Sequence, residues 1–68
     1  DRPGMLAGMS QDIASAGVNI DKVHTKKAGD AGAMNVFEVT LFNLDELQRV
    51  ERNLRRVPGV KTVERLRT

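Results

Sequence analysis

Residues 33–57, AMNVFEVTLFNLDELQRVERNLRRV, change their hydrophobic period partway along, and that change decides the fold. From Ala33 to Phe42 the period is two. Phe37, Val39 and Leu41 share one face, and Met34, Val36, Glu38, Thr40 and Phe42 share the other, as in a strand. From Asn43 onward, Leu44, Leu47, Val50, Leu54 and Val57 recur at steps of three and four, the stripe of a helix packed on a core. Asn43 and Glu46 have the spacing of a capping box, with Asn43 in place of the usual Ser or Thr, which marks where the helix begins. Asp45 with Arg49, and Glu51 with Arg55, form acid-to-base pairs four apart on its outer side. Pro58-Gly59 stops it. The second face of the strand is half apolar, so a partner is expected to cover part of it.

Working back from Ala33, residues 28–32 (AGDAG) are turn-forming and close a hairpin. Val18 to Lys27 is rich in β-branched residues and predicts the other strand. Ile20 and Val23 are three apart, which breaks strict alternation; a bulge between them returns both to one face. The N-terminal segment, Asp1 to Gly17, predicts a helix with Met5, Leu6, Met9, Ile13 and Ala16 on one stripe. Pro3 suits its first position, where a missing N–H costs nothing, and Arg2, biased away from helix by the following proline, suits the cap. Gly17 suits a left-handed end. Past Pro58-Gly59, Val60 to Arg67 predicts a short final strand.

The order is helix, strand, strand, helix, strand. Two helices with one apolar stripe each cover one face of a single antiparallel sheet. The fold class is therefore α+β. It is the ferredoxin-like βαββαβ pattern with its first strand missing from the chain, leaving αββαβ. In that pattern the first strand lies mid-sheet, so the chain reads as a single domain, residues 1–68, cut from a larger protein or completed by a partner.

The 68 residues allow one domain, with a core small enough that a partner surface is expected. There is no Cys and one His, which excludes disulfides and thiolate metal sites and argues against structural zinc. No metal or cofactor is expected. No apolar run approaches the ~20 residues of a membrane span, and no secretory leader pattern opens the chain. The composition fits a cytoplasmic protein. Eleven basic and nine acidic residues give a net charge of +2, too little to imply nucleic acid on its own. With two Phe and no Tyr or Trp, no base-stacking platform is visible.

The motifs then become familiar. DRPGMLA at residues 1–7 and GVNI at 17–20 resemble the signature of ACT domains. Leu44, Leu47 and Leu54, VPGV at 57–60 and VER at 63–65 resemble the C-terminal ACT domain of RelA/SpoT-type (p)ppGpp synthetases and hydrolases. The resemblance covers the chain apart from the first strand. It implies a regulatory domain with no catalytic residues, acting in the stringent response of a parent GTP pyrophosphokinase. Such domains pair side by side and bind a small amino acid where the first loop of one copy meets the GVNI segment of a neighbour. By motif position, Asp1, Arg2, Gly4, Met5, Asn19 and Ile20 line that site. The resemblance also implies contact with other domains of the parent chain, or with the ribosome or tRNA. An amino-acid biosynthetic enzyme under feedback control is the alternative parent.

The residues support this reading to different degrees. Free N–H groups and the positive dipole end of the first helix favour a carboxylate. Arg2 adds a bidentate donor, and Asp1 answers an ammonium group. Asp1 and Pro3 equally serve simply to start a helix. Asn19 is either a ligand contact or a turn residue satisfying local backbone. His24 lacks a second metal ligand, and Ser10 and Ser15 sit on a helix with no nucleophile elbow, so nucleophilic catalysis is not expected. The GDAG run at 29–32 matches the G-x-x-G loop of KH domains, but strands flank it and Asp30 repels phosphate, so it reads as a hairpin. Arg49, Arg52, Arg55 and Arg56, with Lys61, Arg65 and Arg67, form either a solvated helix end or a basic patch for RNA.

Overall fold

A computed structural model of the chain describes residues 4–66. Helix α1 runs Met5–Ser15, strand β1 Asn19–Lys27, strand β2 Ala33–Thr40 and helix α2 Leu44–Arg55. The two strands form one antiparallel hairpin, and both helices pack on the same face of it.

The register explains that face. Ile20 stands opposite Val39 and Val23 opposite Phe37, with the ladder slipping between Ile20 and Lys22. The expected bulge therefore exists, and Asp21 is the extra residue. It restores Val23 to the face of Ile20, as the three-residue spacing requires. Ile20, Phe37, Val39 and Leu41 then lie against the buried cluster of Ile13, Ala16, Val18 and Val50. The hairpin turns through a single 3-10 turn, Gly29–Ala31. Gly29 and Gly32 there have φ of 60° and 93°, and Ala28 N–H donates to Gly32 O at 2.8 Å.

The helices lie antiparallel. A Cβ on Gly8 would meet Val57 at 3.9 Å, Asn53 Nδ2 donates to Asp12 O at 3.2 Å, and Arg49 Nη1 donates to Ala16 O at 3.0 Å. Each step is four residues along both helices, the spacing of one face. This arrangement also locates two departures from the expected stripes. Leu6 is 42% exposed and Leu44 60% exposed. Leu6 stands beyond the C-terminal end of α2 and Leu44 beyond that of α1, so neither faces an opposing turn. Met9, Ile13, Ala16, Val50 and Val57 are buried as expected.

Three boundaries are corrected. Helix α1 begins at Met5 with Gly4 at the cap, not Arg2. Gly4 has φ 82°, a left-handed conformation that glycine adopts without strain. Asp1, Arg2 and Pro3 lie outside the described residues. Strand β2 ends at Thr40 rather than Phe42, because Phe42 N–H is taken by Glu46 Oε1 at 2.6 Å and so leaves the ladder. Residues 60–66 form no strand; Arg67 lies outside the described residues. A strand forms only where its N–H and C=O groups find a ladder. The neighbour that the ferredoxin-like pattern gives this segment is not among the described residues.

Asn43 caps α2 as expected, with Glu46 N–H donating to Asn43 Oδ1 at 2.9 Å. The Glu46 carboxylate reaches back to Phe42 N–H rather than to Asn43 N–H, so the reciprocal half of the capping box is displaced by one residue. At the far end Val60 N–H donates to Val57 O at 3.1 Å across Pro58-Gly59, with Gly59 at φ 94°. Proline second and a left-handed glycine third are the requirements of a type II turn.

Candidate functional site

The residues expected to bind a ligand fall into two groups at opposite ends of α1. Gly4 and Met5 stand at its N-terminus, Gly4 exposed and Met5 half-buried. Gly4 has no side chain with which to cap, so among the described residues the cap position offers the first N–H groups of the helix no side-chain acceptor. Those groups and the dipole favour an anion. Asp1 and Arg2, placed beside them by sequence, lie outside the described residues.

Asn19 and Ile20 begin β1, just past the C-terminus of α1. Eleven helical residues at 1.5 Å each put about 16 Å between the two groups. A small amino acid does not span that distance. Within one copy, the two groups do not form one site.

Ile20 packs its side chain against the core. Asn19 is exposed and engaged differently. Its Nδ2 donates to Asp21 Oδ1 at 2.7 Å, and Thr40 Oγ1 donates to Asp21 Oδ2 at 2.6 Å. Thr40 is the cross-strand partner of Asn19. The bulge thus places one carboxylate between an amide and a hydroxyl. Asp21 and Thr40 join Asn19 in this cluster although neither is a motif position. The signal was present: Asn19 and Asp21 are two apart in a strand, beside the spacing anomaly that requires a bulge.

The arginines of α2 divide. Arg49 donates to the Ala16 carbonyl rather than standing free or pairing only along its own helix. Arg52, Arg55 and Arg56 are exposed, as are Lys61 and Arg65. Arg52, Arg55 and Arg56 are therefore gathered along the outer side and C-terminal end of α2. His24 is half-buried opposite Val36, with Nδ1 enclosed and without a hydrogen-bond partner among the described residues. No cluster of three metal-ligating side chains occurs among the described residues, and none of their helices is long and apolar enough to cross a membrane.

Comparison with known proteins adds the family context. A family profile described as ACT domain matches residues 1–65. A GTP pyrophosphokinase of Myxococcus xanthus is 39% identical over 66 residues, an alignment covering 97% of this chain and 9% of the relative. The chain spans only that 9% of the relative's length. No solved structure matches the chain.

Proposed function

The chain belongs to the ACT domain family, and from that premise we propose that it is the regulatory domain of a GTP pyrophosphokinase. It binds a small amino acid between two copies of itself and shifts the balance of (p)ppGpp synthesis against hydrolysis in the parent. The whole-length relative supports the parent, because it is a GTP pyrophosphokinase and not an amino-acid biosynthetic enzyme. The observation that carries the two-copy reading is the length of α1. Gly4 and Met5 lie about 16 Å from Asn19 and Ile20 along that helix. Two antiparallel copies can bring one group against the other twice, once on each side of a two-fold axis.

The chemistry of the two groups is complementary. The N-terminus of α1, with its positive dipole end, suits a carboxylate, and the carboxylate-bearing start of β1 suits an ammonium group. A zwitterion bridging them stabilises the paired arrangement. The parent then responds by population shift, in proportion to the ligand's preference for that arrangement.

Titration of the chain with the twenty amino acids by calorimetry, with sedimentation in parallel, tests this. Saturable binding of at least one amino acid, accompanied by dimer, is the expected result. No heat and no chemical-shift change with any of them overturns it.

A second reading assigns the exposed Arg52, Arg55 and Arg56 to RNA of the ribosome or tRNA. Steep loss of RNA binding with salt, at unchanged amino-acid binding, is its signature.

A further inference from the structure

We infer that Asp21 is a positioning residue that fixes the Asn19 side-chain amide, so that this end of the sheet reads the ammonium group of its ligand. The inference rests on the ligand-binding reading above and names the group that confers specificity at its β1 half.

A carboxylate only accepts hydrogen bonds. Its place beside Asn19 therefore decides which end of the amide faces it. Nδ2 turns to Asp21 Oδ1 at 2.7 Å, and Oδ1 turns away from the carboxylate. Thr40 is oriented by the same group. Its hydroxyl proton is committed to Asp21 Oδ2 at 2.6 Å, which leaves its lone pairs to accept. Asn19 Oδ1, Thr40 Oγ1 and the Asp21 charge thus offer acceptors on one exposed patch. That combination attracts a cationic N–H donor and disfavours a second carboxylate.

The bulge makes the arrangement possible. A regular ladder would give Asp21 its own partner on β2. The slip between Ile20 and Lys22 leaves Asp21 unpaired in register, so both its oxygens reach neighbours on two strands. Rotating the Asn19 amide by half a turn would set Oδ1 against the carboxylate. The clamp therefore resists the one change that would convert the site to a carboxylate reader.

The test uses the wild-type chain, Asp21→Ala and Asp21→Asn. Each is titrated with the tightest-binding amino acid and with the corresponding des-amino carboxylic acid. Wild type should prefer the amino acid. Asp21→Ala should weaken the amino acid about tenfold, the scale of a hydrogen bond to a charged group, and leave the des-amino acid unchanged. Asp21→Asn keeps an acceptor and should fall between. The side-chain amide signals of Asn19 by NMR give a ligand-free readout: resolved and shifted in wild type, collapsed toward free-amide values in Asp21→Ala. Equal loss for both ligands, or a free-amide Asn19 in wild type, overturns the positioning role while leaving the ligand reading intact. Absence of any amino-acid binding by wild type overturns both.

Discussion

Arg49 Nη1 donates to the carbonyl oxygen of Ala16 at 3.0 Å, so α2 supplies the C-terminal cap of α1. The last turn of α1 tightens: Ala16 N–H donates to Ile13 O at 3.1 Å and Gly17 N–H to Ala14 O at 2.9 Å. That tightening draws Ala16 N–H away from Asp12 O, which accepts instead from Asn53. Two carbonyls that a helix end would expose to water are thus satisfied by side chains one turn apart on its neighbour. The clamp also fixes the start of β1, which follows α1 by three residues.

Arg49→Ala should therefore destabilise the fold by about 1 kcal/mol, the usual net worth of one such bond. Arg49→Lys should recover part of it. Urea denaturation with an unchanged slope measures this directly. A midpoint equal to wild type would place Arg49 among the merely solvated residues.

The Asn43 cap carries a similar prediction. Asn43 Oδ1 accepts from Glu46 N–H, and Glu46 Oε1 accepts from Phe42 N–H. Asn43→Ala should cost about 1 kcal/mol, and Asn43→Ser much less. Far-UV circular dichroism during thermal melting reports both.

Two glycines should respond with opposite signs. Gly8 lies inside α1, and a Cβ there meets only Val57 at an ordinary 3.9 Å. Gly8→Ala should stabilise by roughly 0.5–1 kcal/mol by removing backbone freedom from the unfolded chain. Gly17 has φ 80°, so Gly17→Ala should destabilise by about 1 kcal/mol although its Cβ meets open space. Melting temperatures of the two variants should move to either side of wild type.

Replacing Arg52, Arg55 and Arg56 together by Gln tests the exposed basic face of α2. Binding to structured RNA, measured from low to moderate salt, should lose roughly two to three units of log–log slope if that face neutralises phosphates. An unchanged slope would remove RNA contact through α2.

The sequence carried the αββα frame because each of those elements has its own local signature. The change of period at Asn43, the Asn43 cap and the Ile20–Val23 spacing are all short-range features, and each is present in the structure. The final strand was not legible in the same way. Val60 to Leu66 has strand composition, but pairing depends on a neighbour, and propensity alone makes no ladder. The bond from Arg49 to the Ala16 carbonyl is not legible in the sequence, because its acceptor is 33 residues away. The Asp21 cluster is hidden for a related reason: it depends on Thr40, which only the hairpin register brings near. Family motifs point to Gly4, Met5, Asn19 and Ile20 as ligand residues but carry no sign that α1 holds the two pairs apart.

That separation is the central claim, and mixing two damaged copies tests it most directly. Gly4→Val disrupts the left-handed cap at the α1 half, and Asn19→Ala removes the β1 half. Each variant alone should bind amino acid weakly. After the two are mixed and allowed to exchange, a site shared between copies regains one intact junction in each mixed dimer, so calorimetry should recover roughly a quarter of the wild-type sites. If the site lies within one copy, no mixture contains an intact one, and binding that stays at the level of the separate variants would contradict the account.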